Sequence, residues 1–170
     1  MLHARSPGRV ALVLLALAGT GNAHAQAPAP VSWSLRAGNV TDLKAGAEVT
    51  VTLSASIAPG WHIYSLTQKP GGPIAMSVTV PVGEPFVLAR VVTGPKPQIQ
   101  ADATLDVPIE LYSGTAEFPV PLKLTTTSSG RVLAGRISTR YQVCSDTTCL
   151  PPRTITLPVR LQQRTVEGAR

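Results

Sequence analysis

Charged side chains are scarce: Asp, Glu, Lys and Arg make up 14% of the 170 residues, against about a quarter in an ordinary domain. So little charge disfavours long solvated helices. Disorder is excluded too, because the hydrophobic share is 44% and disordered chains combine high charge with few Val, Ile and Leu. Aromatic residues are rarer still, at 4%. The basic residues are scattered and form no block. A nucleic-acid surface needs a basic stripe, commonly with aromatics between, so nucleic acid is not an expected partner. Beyond the N-terminus, no run is apolar enough to span a bilayer. Cysteine occurs twice and histidine three times, which leaves little with which to build a closed zinc site.

The N-terminus is read as an address rather than as part of the fold. Arg5 and Arg9 precede a short apolar run over residues 10–18, and Ala23-His24-Ala25 offers a cut before Gln26. A basic start, a short apolar stretch and an A-x-A site are the marks of a cleavable secretory signal. The expected signal covers 1–25, and its style is bacterial, so the expected destination is the periplasm. No cysteine follows the cut to carry a lipid and no Arg-Arg pair precedes it. After cleavage the chain is expected not to span the membrane. Its net charge of +6 loses the contributions of Arg5 and Arg9, and what is left reads as solvation and mild steering. Residues 26–31 form an Ala/Pro leader, 32–163 the folded domain and 164–170 a tail.

What the chain has in plenty is turn residues, 14 Gly and 16 Pro, and alternation. In residues 48–57, Val49, Val51, Leu53, Ala55 and Ile57 alternate with Thr and Ser. A period of two is that of a strand with one wet face. The same pattern runs through 74–80, 116–124, 137–143 and 155–161, with shorter candidates at 32–36, 61–64, 86–92 and 109–112. Turn signals at Pro59-Gly60, Pro70-Gly71-Gly72, Ser113-Gly114 and Ser129-Gly130 separate them. About nine strands and no helix follow. Many short alternating strands joined by Gly/Pro turns make an all-β protein, and an immunoglobulin-like antiparallel β-sandwich is the expected form. Pro119, Pro121 and Pro158 cannot donate to a ladder, so their strands should lie at edges or turn those residues out of the pairing. Residues 93–106 form the longest stretch without alternation, and long loops in compact domains are often functional.

The two cysteines, Cys144 and Cys149, flank four residues between two expected strands. Cα atoms opposed across antiparallel strands lie about 4.5–5.5 Å apart, within the range that a disulfide tolerates. A bond over so small a loop is worth roughly 2 kcal/mol by chain entropy, a modest staple, and a hairpin tip is accessible to exchange. Spacing alone leaves a structural disulfide, a redox pair and a metal site open. Metal is the weakest of these, since only His62 remains as an imidazole after cleavage and Met76 falls on an apolar face. Asp146, between the cysteines, disfavours a thiolate and also suits a turn. Arg140 and Arg153 flank the hairpin and would offset its charge.

Tyr141-Gln142-Val143-Cys144 followed by Cys149-Leu150-Pro151-Pro152, with Gly60-Trp61-His62-Ile63-Tyr64 upstream, resembles the N-terminal periplasmic domain of the thiol:disulfide interchange protein DsbD. The resemblance covers residues 33–161 and corresponds to a stand-alone form. It implies an immunoglobulin-like fold and one redox-active pair, Cys144 and Cys149, needing no other cofactor. It implies electron exchange with thioredoxin-fold periplasmic partners of the disulfide isomerase or cytochrome c maturation type. A membrane or periplasmic electron donor would act in trans. By similarity Cys149 forms the mixed disulfide and Cys144 resolves it. Trp61 and Tyr64 fall where the family has site-lining aromatics, and Tyr141 adjoins the motif. Two features depart from the family pattern. Four residues separate the cysteines where the best-known members have five, and the cap region, 98–108, has no aromatic; Leu105 is its nearest apolar candidate. The alternative is a non-catalytic immunoglobulin-like binding or assembly module whose disulfide pins a hairpin.

Overall fold

The computed structural model describes residues 29–101 and 105–164. The expected signal peptide, the first part of the leader and all of the tail but Arg164 lie outside them. The described residues contain strands and no helix. In chain order the strands are β1 (Val31–Ala37), β2 (Asn39–Val40), β3 (Glu48–Ile57), β4 (His62–Tyr64), β5 (Ser77–Thr79) and β6 (Phe86–Leu88). Then come β7 (Gln98–Gln100), β8 (Ile109–Tyr112), β9 (Thr115–Leu124), β10 (Val132–Tyr141), β11 (Val143–Cys144) and β12 (Arg153–Gln163). Val31, read as the end of the leader, opens β1: it is buried and pairs with Ile57.

Three sheets form, with the orders β1-β3-β9-β6, β2-β12-β10-β5 and β11-β4-β8-β7. Every pairing is antiparallel except the short one of β2 with β12, which is parallel. One apolar core draws on all three sheets. Val51, Leu53, Phe86, Phe118 and Val120 come from the first, Ile137, Val159 and Leu161 from the second, and Ile63, Tyr112 and Val143 from the third. The alternation seen in the sequence is the cause. In β3 the buried set is Val51, Leu53, Ala55 and Ile57, while the Thr and Ser residues between them stay at least partly open.

The prolines do not mark edges. β9 lies between β3 and β6, and β12 between β2 and β10. The other arrangement holds for β9: the Pro121 carbonyl accepts from Ala89 N at 2.9 Å on the β6 side. In an extended residue N and C=O share a side, so the Pro121 nitrogen faces away from β3. Pro119, two residues earlier, faces the same way at a level that the three-residue β6 does not reach. In β12, the pairing with β2 involves only Gln162 and Gln163, so Pro158 lies outside it.

The site is positioned by a change of sheet. β10 and β12 are paired up to Tyr141↔Arg153, and Cys144 then bridges Cys149. Between these two levels, residues 150–152 stand opposite 142–143, one extra residue on the returning side, as in a β-bulge. Pro151 and Pro152 have no N–H with which to continue the ladder. The tip therefore leaves the β10/β12 sheet, and β11 pairs with β4, Val143 with Ile63 and Cys144 with His62.

Candidate functional site

Alternation within the third sheet sorts its side chains onto two faces. Ile63, Tyr112 and Val143 point into the main core. Tyr64, Leu111 and Cys144, each the chain neighbour of one of these, form a separate small cluster with Ile109 packed against it. Cys144 is 1% exposed, Tyr64 5% and Leu111 3%. Cys149 lies on the returning side of the turn and is exposed.

The two cysteines are joined by a disulfide, with their Cα atoms 4.1 Å apart. The turn between them is closed on both sides of the bond: Ser145 N donates to Thr148 O at 2.8 Å and Leu150 N to Val143 O at 3.0 Å. The Ser145 hydroxyl accepts from Thr147 N and Thr148 N as well. Gln142 Nε2 donates to Leu150 O at 3.3 Å across the Pro-Pro bulge. The tip is thus held by its own backbone and by residues on either side of it.

Tyr64 reaches the exposed sulfur. Its Oη lies 3.9 Å from Cys149 Sγ and 3.4 Å from His62 Nε2, and the His62 and Tyr64 rings meet edge to face at 5.4 Å. Burial holds the His62 imidazole below its ordinary value, while the carboxylate of Asp146 pulls it upward. His62 and Asp146 line an open groove of about 190 Å³ together with Trp61, Gln98, Gln100 and Ser113. No group of three or more His, Cys, Asp or Glu side chains suited to a metal occurs among the described residues.

Of the residues picked out from sequence, the structure brings Cys144, Cys149 and Tyr64 together. Trp61 is half-buried; it packs on the main core and lines the neighbouring groove. Tyr141 is part of the main core, its ring 5.0 Å from that of Trp33. Leu105 lines a different hollow, with Ala101, Asp106, Val107 and Pro108. From the stretch between residues 93 and 101, one strand joins the sheet that holds β11. This strand, β7, pairs with β8, and Gln98 and Gln100 reach the groove that Asp146 also lines. Leu111 and Ile109 do not stand out in the sequence, and His62 does so as a last imidazole for a metal and as a member of the Gly60–Tyr64 segment, without a role of its own. Their signal is the i, i+2 spacing His62-x-Tyr64 and Ile109-x-Leu111, which is informative once the outer face of the sheet is known.

A second polar knot fixes β4 to β8. Ser65, fully buried, donates to Glu110 Oε2 at 2.7 Å, and the Thr67 hydroxyl donates to the same oxygen. Gln68 is also buried; it accepts from Glu110 N at 2.7 Å and donates to Pro108 O at 3.2 Å. These bonds keep the Tyr64-bearing strand in register with Leu111.

No curated protein matches the chain. Among solved structures, the N-terminal periplasmic domain of ScsB from Proteus mirabilis aligns at a TM-score of 0.54 and 18% identity, covering 81% of this chain and 49% of that one. The chain thus spans about half the length of that structure. The CssB subunit complemented with a donor strand from CssA, of enterotoxigenic Escherichia coli colonization factor CS6, aligns at 0.40 and 12% identity, covering 78% and 97%. The family described as thiol:disulfide interchange protein DsbD, N-terminal, matches residues 34–161, three quarters of the chain, and the chain belongs to that family.

Proposed function

We propose that this chain is a periplasmic thiol:disulfide exchange module, an immunoglobulin-like sandwich over about 32–163 that follows a cleaved signal. It passes electrons through Cys144 and Cys149 to or from thioredoxin-fold partners, of the disulfide isomerase or cytochrome c maturation type. A membrane-bound or periplasmic electron donor serves it. Family membership supports the exchange chemistry.

The observation that carries the division of roles is the unequal exposure of the two sulfur-bearing residues. Cys149 is open to a partner, and Cys144 lies in an apolar cluster. A partner thiolate attacks Cys149 Sγ, the Cys144–Cys149 bond breaks, and Cys144 leaves as a thiolate. Apolar surroundings disfavour that thiolate, so Cys144 tends to attack Cys149 again and release the partner. The mixed disulfide is therefore short-lived while Cys144 is present. In the other direction, Cys149 as thiolate attacks a partner disulfide and Cys144 resolves the complex by the same step.

The test is trapping in periplasmic extract. Cys144→Ser is expected to accumulate a covalent complex with a thioredoxin-fold protein on non-reducing gels, and Cys149→Ser far less. Equal trapping would remove the assignment of roles. No trapping by either variant, with a reduction potential below about −300 mV as for a structural disulfide, would favour the binding or assembly module instead.

A further inference from the structure

We propose that Asp146 is a specificity-determining residue for exchange: it selects partners whose reactive cysteine sits in an extended segment with a lysine or arginine side chain close by. The proposal rests on the exchange reading above and names the chemistry of the segment that Cys149 meets.

Geometry limits what the groove can hold. Asp146 is exposed in the turn between the cysteines. It lines the groove of about 190 Å³ with Trp61, His62, Gln98, Gln100 and Ser113. The groove adjoins the disulfide: His62 pairs with Cys144 in the ladder, and its ring meets that of Tyr64, whose Oη lies near Cys149 Sγ. From there the groove crosses the third sheet to β7, three strands away from β11. Neighbouring strands lie about 4.8 Å apart, so the crossing is roughly 14 Å, the length of about four extended residues at ~3.3 Å each. A partner segment joined to Cys149 can therefore lay only the few residues beside its own cysteine in this groove.

Charge decides what those residues should be. Among the described residues, Asp146 is the single carboxylate lining the groove, no lysine or arginine lines it, and no ion pair ties Asp146 down. His62 does not offset it above neutral pH, because burial outweighs the pull of Asp146 and holds the imidazole below its ordinary value of 6.5. The amides and the hydroxyl of the lining are neutral groups that can hydrogen-bond a peptide backbone. One carboxylate in an otherwise neutral groove attracts a cation and repels an anion. A partner that covers the groove excludes water and strengthens both effects. The chain as a whole acts the other way. Its net charge is +6 and stays positive without Arg5 and Arg9, so long-range steering alone favours acidic segments. A preference for a basic segment is thus the signature of Asp146 and not of the overall charge.

Peptides test this without a natural partner. The probes are Gly-X-Cys-X-Gly, capped at both ends, with X as Lys, Gln or Glu and the cysteine activated as a mixed disulfide with thionitrobenzoate. In the full chain carrying Cys144→Ser, the Cys149 thiolate attacks the peptide sulfur. A Cys149–peptide disulfide forms, and thionitrobenzoate leaves as a thiolate with the electron pair of the broken bond. Its colour gives the rate, measured at low salt and about pH 8, near the ordinary thiol range. The quantity read is the ratio of the Lys to the Glu rate, because any effect of Asp146 on the Cys149 thiolate is common to both peptides and cancels. The ratio is expected to be about threefold or more, within the range of exposed ion pairs, with Gln between the two. It should narrow as salt is raised beyond about 0.1 M. Asp146→Asn is expected to bring the ratio to one or below, and Asp146→Glu to keep it above one. A parent ratio of one or less would overturn the proposal, as would a ratio that Asp146→Asn leaves unchanged. Thermal melts check folding, and Asp146→Ser replaces the Asn variant if that fails to fold. A ratio that collapses in Asp146→Asn, with no trapping in extract, would sink the exchange reading and leave the preference of the groove standing. Trapping with a parent ratio of one would do the reverse.

Discussion

At the scale of single residues, close packing decides more than chemistry does. Gly135 lies in β10 against the ring of Phe86, which is fully buried. A Cβ there would stand 2.5 Å from Cε1 and 2.6 Å from Cζ of that ring, and 2.9 Å from Glu84 Oε2. Neither neighbour is free to retreat, since Glu84 accepts from Arg136 N at 2.9 Å and from Arg136 Nε at 2.8 Å. Gly135→Ala is expected to cost about 1–3 kcal/mol, the usual range for overpacking, read as a lower urea midpoint with unchanged slope. An unchanged midpoint would mean that the Phe86 ring can shift. Gly94 is a similar case nearer the site. A Cβ there would lie 2.7 Å from Tyr112 Oη, the hydroxyl that donates to Pro95 O and ties down the chain entering β7. Tyr141 teaches the same lesson. Next to the cysteine motif in sequence it reads as a site residue, yet strand alternation turns it inward onto Trp33.

At the scale of elements, the long strands were legible, as were the short β4, β5, β6 and β8, while β2 and β7 were not. Ten residues of Val/Thr and Leu/Ser alternation leave one arrangement for β3, because a slip by one residue would turn its whole apolar set outward. β7 has three residues, Gln98-Ile99-Gln100, with Ile99 65% exposed, and so carries neither period nor burial to reveal it. The move of the cysteine tip onto the third sheet was hidden for another reason: it depends on Pro151 and Pro152 interrupting one ladder while Ile63 and His62 offer another. From the sequence one can read a cysteine hairpin with an aromatic strand upstream, but not that β4 lies beside β11 and brings Tyr64 to Cys149. The hairpin also limits what its disulfide can do for stability. The bond spans a sequence separation of 5, and constraining so small a loop is worth about 2 kcal/mol or less. The core has its own alternating strands and does not depend on it. Reduction is therefore expected to lower the urea midpoint modestly and leave a cooperative transition. Amide exchange should quicken first in β11 and the turn. Complete unfolding on reduction would mark the bond as a staple and weaken the exchange proposal.

For the whole molecule, the titrating groups around the third sheet set how stability varies with pH. His62 is held below its ordinary value of 6.5 by burial, with Asp146 acting the other way. Glu110 is held below 4.5 by hydrogen bonds from Thr67 and then Ser65; slight burial acts against this and Lys69 adds to it. In both cases the unfolded chain takes up its proton at a higher pH than the folded one does. Stability rises with pH wherever the unfolded state binds more protons, so each group stabilises the fold above its unfolded value. That contribution is lost as pH falls through the window down to the folded value. Two successive declines are expected on acidification, one beginning near pH 6.5 from His62 and one near 4.5 from Glu110. Tyr112 works at the other end. Burial first, and then Glu110, raises it above 10.0, so above that pH the unfolded chain loses its proton first and stability falls again. Urea melts of the oxidised protein across this range test the scheme, with His62→Gln and Glu110→Gln as its controls. His62→Gln should flatten the decline that starts near 6.5 and leave the lower one. Glu110→Gln should flatten the lower decline and leave the upper one, because the two groups lie in different clusters, one beside the cysteine turn and one in the knot joining β4 to β8. Stability unchanged from pH 7 to 4 in the parent would show that neither shift is coupled to folding. A single decline abolished by either variant would show that the two clusters open together.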